Sequence, residues 1–167
     1  MNKKGLSTKK IVMIALFTAL IMIATLLIRF PVGTGYLNAG DAVIFLSVFL
    51  LGPYGIIASS LGSALADLVG YAIYAPATLV IKGLMAFVAW VVYRAFLKCL
   101  KKSLLAEILA SVAGAIVMVI GYFLYEAILF SSFGVALVGL PWNFLQGGAG
   151  VVLSVLLMRL MKTIKVA

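Results

Sequence analysis

The stretch KKIVMIALFTALIMIATLLIRF, Lys9–Phe30, decides what kind of protein this is. Ile11–Ile28 carries no charged side chain, and at about 1.5 Å of rise per residue such a run covers most of the ~30 Å of hydrocarbon in a bilayer. The surrounding sequence keeps the same character. Of 167 residues, 66% are hydrophobic, and the mean hydropathy is +1.30. A membrane barrel would instead show alternating segments of about ten residues, which are not found. The chain therefore reads as an all-α integral membrane protein. The basic start before Ile11 resembles the n-region of a signal peptide. The apolar run is longer than a usual h-region, however, and no small-residue cleavage site precedes Arg29, so a retained helix is expected.

Six membrane spans in a single domain, residues 1–167, follow from the remaining apolar runs. They are expected at about 9–29, 41–51, 54–72, 78–97, 104–129 and 141–160. FPVGTGYLNAG, Phe30–Gly40, is too polar for lipid and reads as a loop. GPYG, Gly52–Gly55, separates the second and third spans, and GYAIYAPA, Gly70–Ala77, the third and fourth. Pro141 suits the first turn of the sixth helix, where its missing N–H would have no partner anyway; 130–140 has no clear assignment.

Basic residues set the direction. Lys3, Lys4, Lys9 and Lys10 flank the first span. Arg94, Lys98, Lys101 and Lys102 lie between spans four and five, and Arg159, Lys162 and Lys165 follow span six. With six spans, eleven of the 13 Lys and Arg residues share one side. That side is then cytoplasmic, with both termini on it. This gathering at helix ends also argues against nucleic-acid binding, despite a net charge of +9.

Several chemistries are missing. There is no histidine and one cysteine, Cys99, which removes the commonest metal ligand and general base and any intramolecular disulfide. No phosphate-binding GxxxxGK[ST] loop is present, nor a nucleophile–base pair. Neither a cofactor, a bound metal nor enzymatic activity is expected.

The polar residues gather toward the outer face. Asp67 lies near the outer end of span three, Lys82 about a turn into span four, Glu126 near the outer end of span five, and Asn143 with Gln146 at the start of span six. Tyr71, Tyr74, Tyr122, Tyr125 and Trp142 share that level, with Tyr36 and Asn38 in the loop above. The inner half is almost purely apolar. Charges inside a bilayer are costly, so the collection should form a pocket or buried pairs. Asp67 and Lys82 lie at similar depth and are expected to neutralise each other, and Asp41 to cap span two. Asn143 and Gln146, three apart on one helix face, offer donors and acceptors suited to a small uncharged polar ring. Small residues four apart, as in SSLGSALADLVG, allow close helix approach. Ala15 and Ala19 repeat this spacing on the first span, where another protein can dock.

The run YLNAGDAVIFLSVFLLGPYGIIASSLGSALADLVGYAIYAPATLVIKGLMAFVAW, Tyr36–Trp90, resembles the S components of energy-coupling factor (ECF) vitamin transporters. The likeness extends to six spans, both ends inside, and a Pro-aromatic-Asn start to span six. It implies a multi-pass protein of a prokaryotic plasma membrane that captures a vitamin or precursor outside. Such a protein docks with a transmembrane T component and two ATPases, which bind the ATP. On that resemblance Ala15 and Ala19 meet the T component. Tyr36, Asn38, Lys82, Trp142, Asn143 and Gln146, with Glu126 and Tyr74 at the same level, form the expected substrate-binding set. Relatives, riboflavin binders among them, often read PFNLIKG in span six, whereas this chain reads PWNFLQG. The Gln146 replacement points from riboflavin toward a smaller heteroaromatic alcohol, hydroxymethylpyrimidine or pyridoxine. Riboflavin or another vitamin is the alternative substrate, and a self-sufficient channel or facilitator the alternative class.

Overall fold

The computed structural model describes residues 7–33, 35–100 and 103–164. Lys3, Lys4, Lys101, Lys102 and Lys165, five of the residues used to orient the chain, lie outside them. Among the described residues there are six helices and one hairpin. In chain order they are α1 (Thr8–Leu27), β1 (Arg29–Val32), β2 (Gly35–Asn38), α2 (Gly40–Leu51), α3 (Tyr54–Leu68), α4 (Ala75–Leu100), α5 (Ser103–Leu129) and α6 (Phe133–Ile164).

Six helices were expected and six are present, but four, α1, α4, α5 and α6, are long and apolar enough to cross a membrane. α2, with 12 residues, is only about 18 Å long at the ordinary helical rise, and α3 has 15 residues. The expectation of six membrane spans is met in part: six helices are present, α2 is as short as expected, and four qualify as spans by length and composition. The expected third span is cut at Leu68, where Gly70 and Tyr71 turn their N–H groups back to the Asp67 carbonyl.

The loop after α1 is also more ordered than its composition suggests. β1 and β2 pair antiparallel, with Arg29 opposite Asn38 and Pro31 opposite Tyr36. Gly33 takes φ +54° at the turn, a left-handed conformation that glycine adopts without a Cβ penalty.

α6 starts earlier than Pro141. Ser132 Oγ accepts the Val135 N–H at 3.3 Å, capping the new end, and Phe133 packs its ring 6.3 Å from Phe123 of α5. Pro141 therefore sits inside a helix of 32 residues. One backbone hydrogen bond is missing there, a defect that apolar helices packed on neighbours tolerate. The segment 133–140, left unassigned by the sequence, is the first two turns of α6.

Glycines and small side chains set the helix spacing, as their four-residue repeats suggest. A Cβ on Gly62 of α3 would lie 2.6 Å from the Thr18 carbonyl oxygen of α1, and one on Gly55 would lie 2.8 Å from the Ser47 backbone of α2. Gly114 of α5 meets α4 similarly, at 3.0 Å from the Met85 carbonyl oxygen. α1 is peripheral: Phe17, Ile21 and Thr25 form its buried stripe, while Ile11, Leu16, Leu20, Ile23 and Leu27 face outward. Ala15 and Ala19 are exposed. They line a shallow apolar groove with Thr18 and Met22 and with Ile57, Leu61 and Leu65 of α3.

Candidate functional site

The polar residues of the outer half converge beneath the hairpin. They line a cavity of about 480 Å³, counting its open mouth. Tyr36 and Asn38 descend from β2, and Ser63 and Asp67 rise from α3. Thr78 and Lys82 come from α4, Tyr122 and Glu126 from α5, and Asn143 and Gln146 from α6. Thr25 of α1 and Tyr74, just before α4, complete the wall.

At the base lies a buried hydrogen-bonded chain. Lys82 Nζ donates to Asp41 Oδ1 in a salt bridge whose side chains are 3% and 1% exposed. The other oxygen of Asp41 accepts Gln146 Nε2 at 2.8 Å. Gln146 Oε1 in turn accepts the backbone N–H of Asn38 at 3.1 Å and its side-chain amide at 3.2 Å. Asn38 Oδ1 closes the chain by accepting the Gly40 N–H at 2.9 Å. Hairpin, α2, α4 and α6 are thus tied through one glutamine.

This arrangement corrects two expectations. Lys82 bonds to Asp41 rather than to Asp67, because the first turn of α2 points into the bundle between α4 and α6. Asp41 does not cap α2, since Ala39 occupies the N-cap position without a side-chain bond. Asp67 instead accepts the Tyr36 hydroxyl, which latches the hairpin to α3. Burial, then the neighbouring Asp67 carboxylate, pushes the Tyr36 phenol well above its ordinary pKa, so it stays a donor at neutral pH.

Aromatic rings form the upper wall. Tyr36 packs on Tyr71 at 4.7 Å, Tyr71 on Tyr74 at 6.5 Å, and Tyr74 on Tyr122 and Tyr125 at 6.5 and 5.6 Å. Tyr74 donates its hydroxyl to Glu126 Oε1 at 3.3 Å, and Thr78 shares a hydrogen bond with Tyr122 at 2.9 Å. Gly139 of α6 passes so near Glu126 that an added Cβ would collide with Oε2.

One helical turn below Asp41, Lys82, Tyr122 and Gln146 come Phe45, Met85, Met118 and Gly150. All four are buried, and the three side chains belong to the apolar core. Polar groups reappear below this layer, where Ser47 of α2 meets Ser59 of α3 at 3.3 Å. Toward the chain termini Glu107, fully buried, holds Arg159 and Lys162, and Ser111 meets Ser154 at 3.4 Å. The inner half is therefore less purely apolar than the sequence reading expected.

Of the expected substrate-binding residues, Tyr36, Asn38, Tyr74, Lys82, Glu126, Asn143 and Gln146 line the cavity. Trp142 does not. It is 40% exposed and lies in a shallow recess beside the hairpin that shares Gly35, Tyr36, Glu126 and Asn143 with the cavity. Thr25, Ser63, Thr78 and Tyr122 were not singled out as site residues, yet they line the cavity. Thr25 could have been found as the polar member of the buried Phe17, Ile21, Thr25 stripe.

The sequence profile described as "ECF-type riboflavin transporter, S component" matches residues 5–163. A protein of Pyrococcus woesei, described as an uncharacterized protein in gap 3'region, is 42% identical over 106 residues, covering 61% of this chain and 68% of that protein. The solved structure described as "Structure and mechanism of the S component of a bacterial ECF transporter" shares the fold, with a TM-score of 0.68 and 21% identity over 93% of this chain and 96% of that one. The chain belongs to the family of ECF-type riboflavin transporter S components, multi-pass membrane proteins that serve transport and are not enzymes.

Proposed function

We propose that the chain is the vitamin-capturing subunit of an ECF-type importer and that the cavity beneath the hairpin is its binding site. The observation that carries this reading is a polar, tyrosine-walled cavity standing on an apolar floor. Such an arrangement suits capture at one face better than conduction. All six helices lie across the bilayer as one domain, α2 and α3 completing their crossings with the hairpin and the 69–74 turn. Both termini, with Arg94, Lys98, Arg159 and Lys162, lie on the cytoplasmic side.

Within the site, Asn143 is the principal amide contact. Among the described residues its side chain makes no hydrogen bond, whereas Gln146 spends its oxygen twice and one N–H once on the protein. Gln146 retains one N–H for a ligand but acts chiefly as the strut under the hairpin. Tyr36, Asn38, Tyr74, Lys82 and Glu126 shape and polarise the space, and Trp142 guards its side. The proposed ligand is a small heteroaromatic alcohol of the hydroxymethylpyrimidine or pyridoxine type. Riboflavin is the second reading, supported by the description of the family. Delivery requires a T component and two ATPases; ATP binds those partners, and this chain carries no cofactor. The exposed Ala15 and Ala19 in their apolar groove are the proposed contact for the T component.

Mass spectrometry of small molecules retained by the purified chain tests this reading. A heteroaromatic vitamin that is retained by the native chain and lost from Asn143→Ala is expected. Equal retention by both would remove Asn143 from the site.

A further inference from the structure

Serines inside apolar helices commonly satisfy their hydroxyl by donating to a carbonyl three or four residues back. Ser59 of α3 donates to the Gly55 carbonyl at 2.7 Å. Ser47 of α2 and Ser154 of α6 do the same with the Ile44 and Val151 carbonyls, at 2.7 and 2.9 Å. Ser63, four residues after Ser59 and on the same face of α3, does not. It is 3% exposed, its Oγ has no hydrogen-bond partner among the described residues, and it lines the cavity beneath the hairpin.

Helix packing does not account for this hydroxyl. Gly62, not Ser63, makes the close approach of α3 to α1, and an alanine at 63 would pack as well without burying an unpaired polar atom. A hydroxyl offers one donor and two acceptor sites. An unprotonated ring nitrogen only accepts and a protonated one only donates, so either uses part of what Ser63 offers. An alcohol uses both. Asn143, also without a side-chain hydrogen bond among the described residues, stands on a different helix, α6, and lines the same cavity.

Resting on the vitamin-capture reading above, we propose that Ser63 is a specificity-determining residue whose hydroxyl receives the alcohol group of the ligand, while Asn143 meets the nitrogen edge of its ring. The cavity then selects a heteroaromatic alcohol over the same ring with a methyl group in place of the hydroxymethyl. That analogue leaves Ser63 buried and unpaired, and a site built to bond a hydroxyl rejects a ligand that lacks it.

Hydroxymethylpyrimidine carries a single hydroxyl, and aminodimethylpyrimidine is the same ring with methyl in its place. Calorimetry on the purified full chain in detergent at pH 7 should favour the alcohol by about tenfold or more. Ser63→Ala should bring the two affinities to within about twofold of each other by weakening the alcohol alone. Ser59→Ala removes a hydroxyl already bonded within α3 and should leave the ratio unchanged, and Asn143→Ala should weaken both ligands alike. A ratio unmoved by Ser63→Ala, or abolished by Asn143→Ala instead, would overturn the proposal. So would equal binding of the two pyrimidines to the native chain, or failure of both at millimolar concentration. Riboflavin, run alongside, separates the two levels. If it binds and Asn143→Ala weakens it while the pyrimidines give any of those results, the assignment of Ser63 falls and vitamin capture stands. If none of the three binds folded protein, both fall.

Discussion

Replacing Lys82 by methionine is the sharpest perturbation of the cavity base. The stem packs much as before, but Asp41 loses its ammonium partner and keeps the 2.8 Å hydrogen bond from Gln146. Both members of the pair are almost fully buried, at 3% and 1% exposure, so solvent offers the carboxylate little relief. Breaking a buried ion pair from one side costs about 3–5 kcal/mol. At roughly 2–4 °C per kcal/mol for a chain of this size, the midpoint of thermal unfolding should fall by about 6–20 °C. Adding Asp41→Asn removes the stranded charge and should recover more than half of that loss, whereas adding Asp67→Asn should recover none. Thermal unfolding in micelles, followed by the fluorescence of Trp90 and Trp142, reads all four proteins. Rescue by Asp67→Asn instead of Asp41→Asn, or a loss of less than about 1 kcal/mol in the single variant, would refute the pairing and its burial.

Other expectations are simpler. Asn143→Ala should weaken vitamin binding by roughly 5- to 150-fold, the equivalent of about 1–3 kcal/mol for one buried hydrogen-bond partner, without lowering the yield of folded protein; titration calorimetry reads it, and unchanged affinity would exclude the residue. Ala15→Trp or Ala19→Trp should abolish uptake in cells supplying the partner subunits while leaving binding by the purified chain intact. A variant that still assembles and transports would remove the groove from the docking surface. Gly62→Val should destabilise the fold by about 1–3 kcal/mol, because the added Cβ would lie 2.6 Å from the Thr18 carbonyl oxygen. An unaltered unfolding midpoint would show that α1 can move away from α3 at no cost.

Much of this molecule was legible before any coordinates. Apolar runs located the helices, and small residues at four-residue spacing marked the face of α3 whose Gly62 meets α1, without naming that partner. The level of the polar side chains along each run placed them in one layer, because depth follows directly from sequence position in a helix. Partner choice did not follow, since depth says nothing of rotation about the helix axis. Lys82 could be matched with Asp67 by level, yet Asp41 faces it across the bundle. The same ignorance hid the fate of Gln146, whose amide is occupied by Asn38 and Asp41. Pro141 misled for a different reason. Proline usually marks a helix start in water, whereas here Ser132 supplies the cap and packed neighbours carry the helix through it. Glu107 went unnoticed because its cations sit more than fifty positions away, on the last turns of α6.

Vesicles containing this chain alone provide the most direct measurement. Labelled hydroxymethylpyrimidine, pyridoxine and riboflavin are supplied outside, with neither T component nor ATPases present. A cavity closed below by Phe45, Met85 and Met118 should hold a ligand in saturable, stoichiometric amount and pass none into the lumen. Accumulation of any of them inside, beyond the number of binding chains, would contradict a capture subunit and reveal a path through the core.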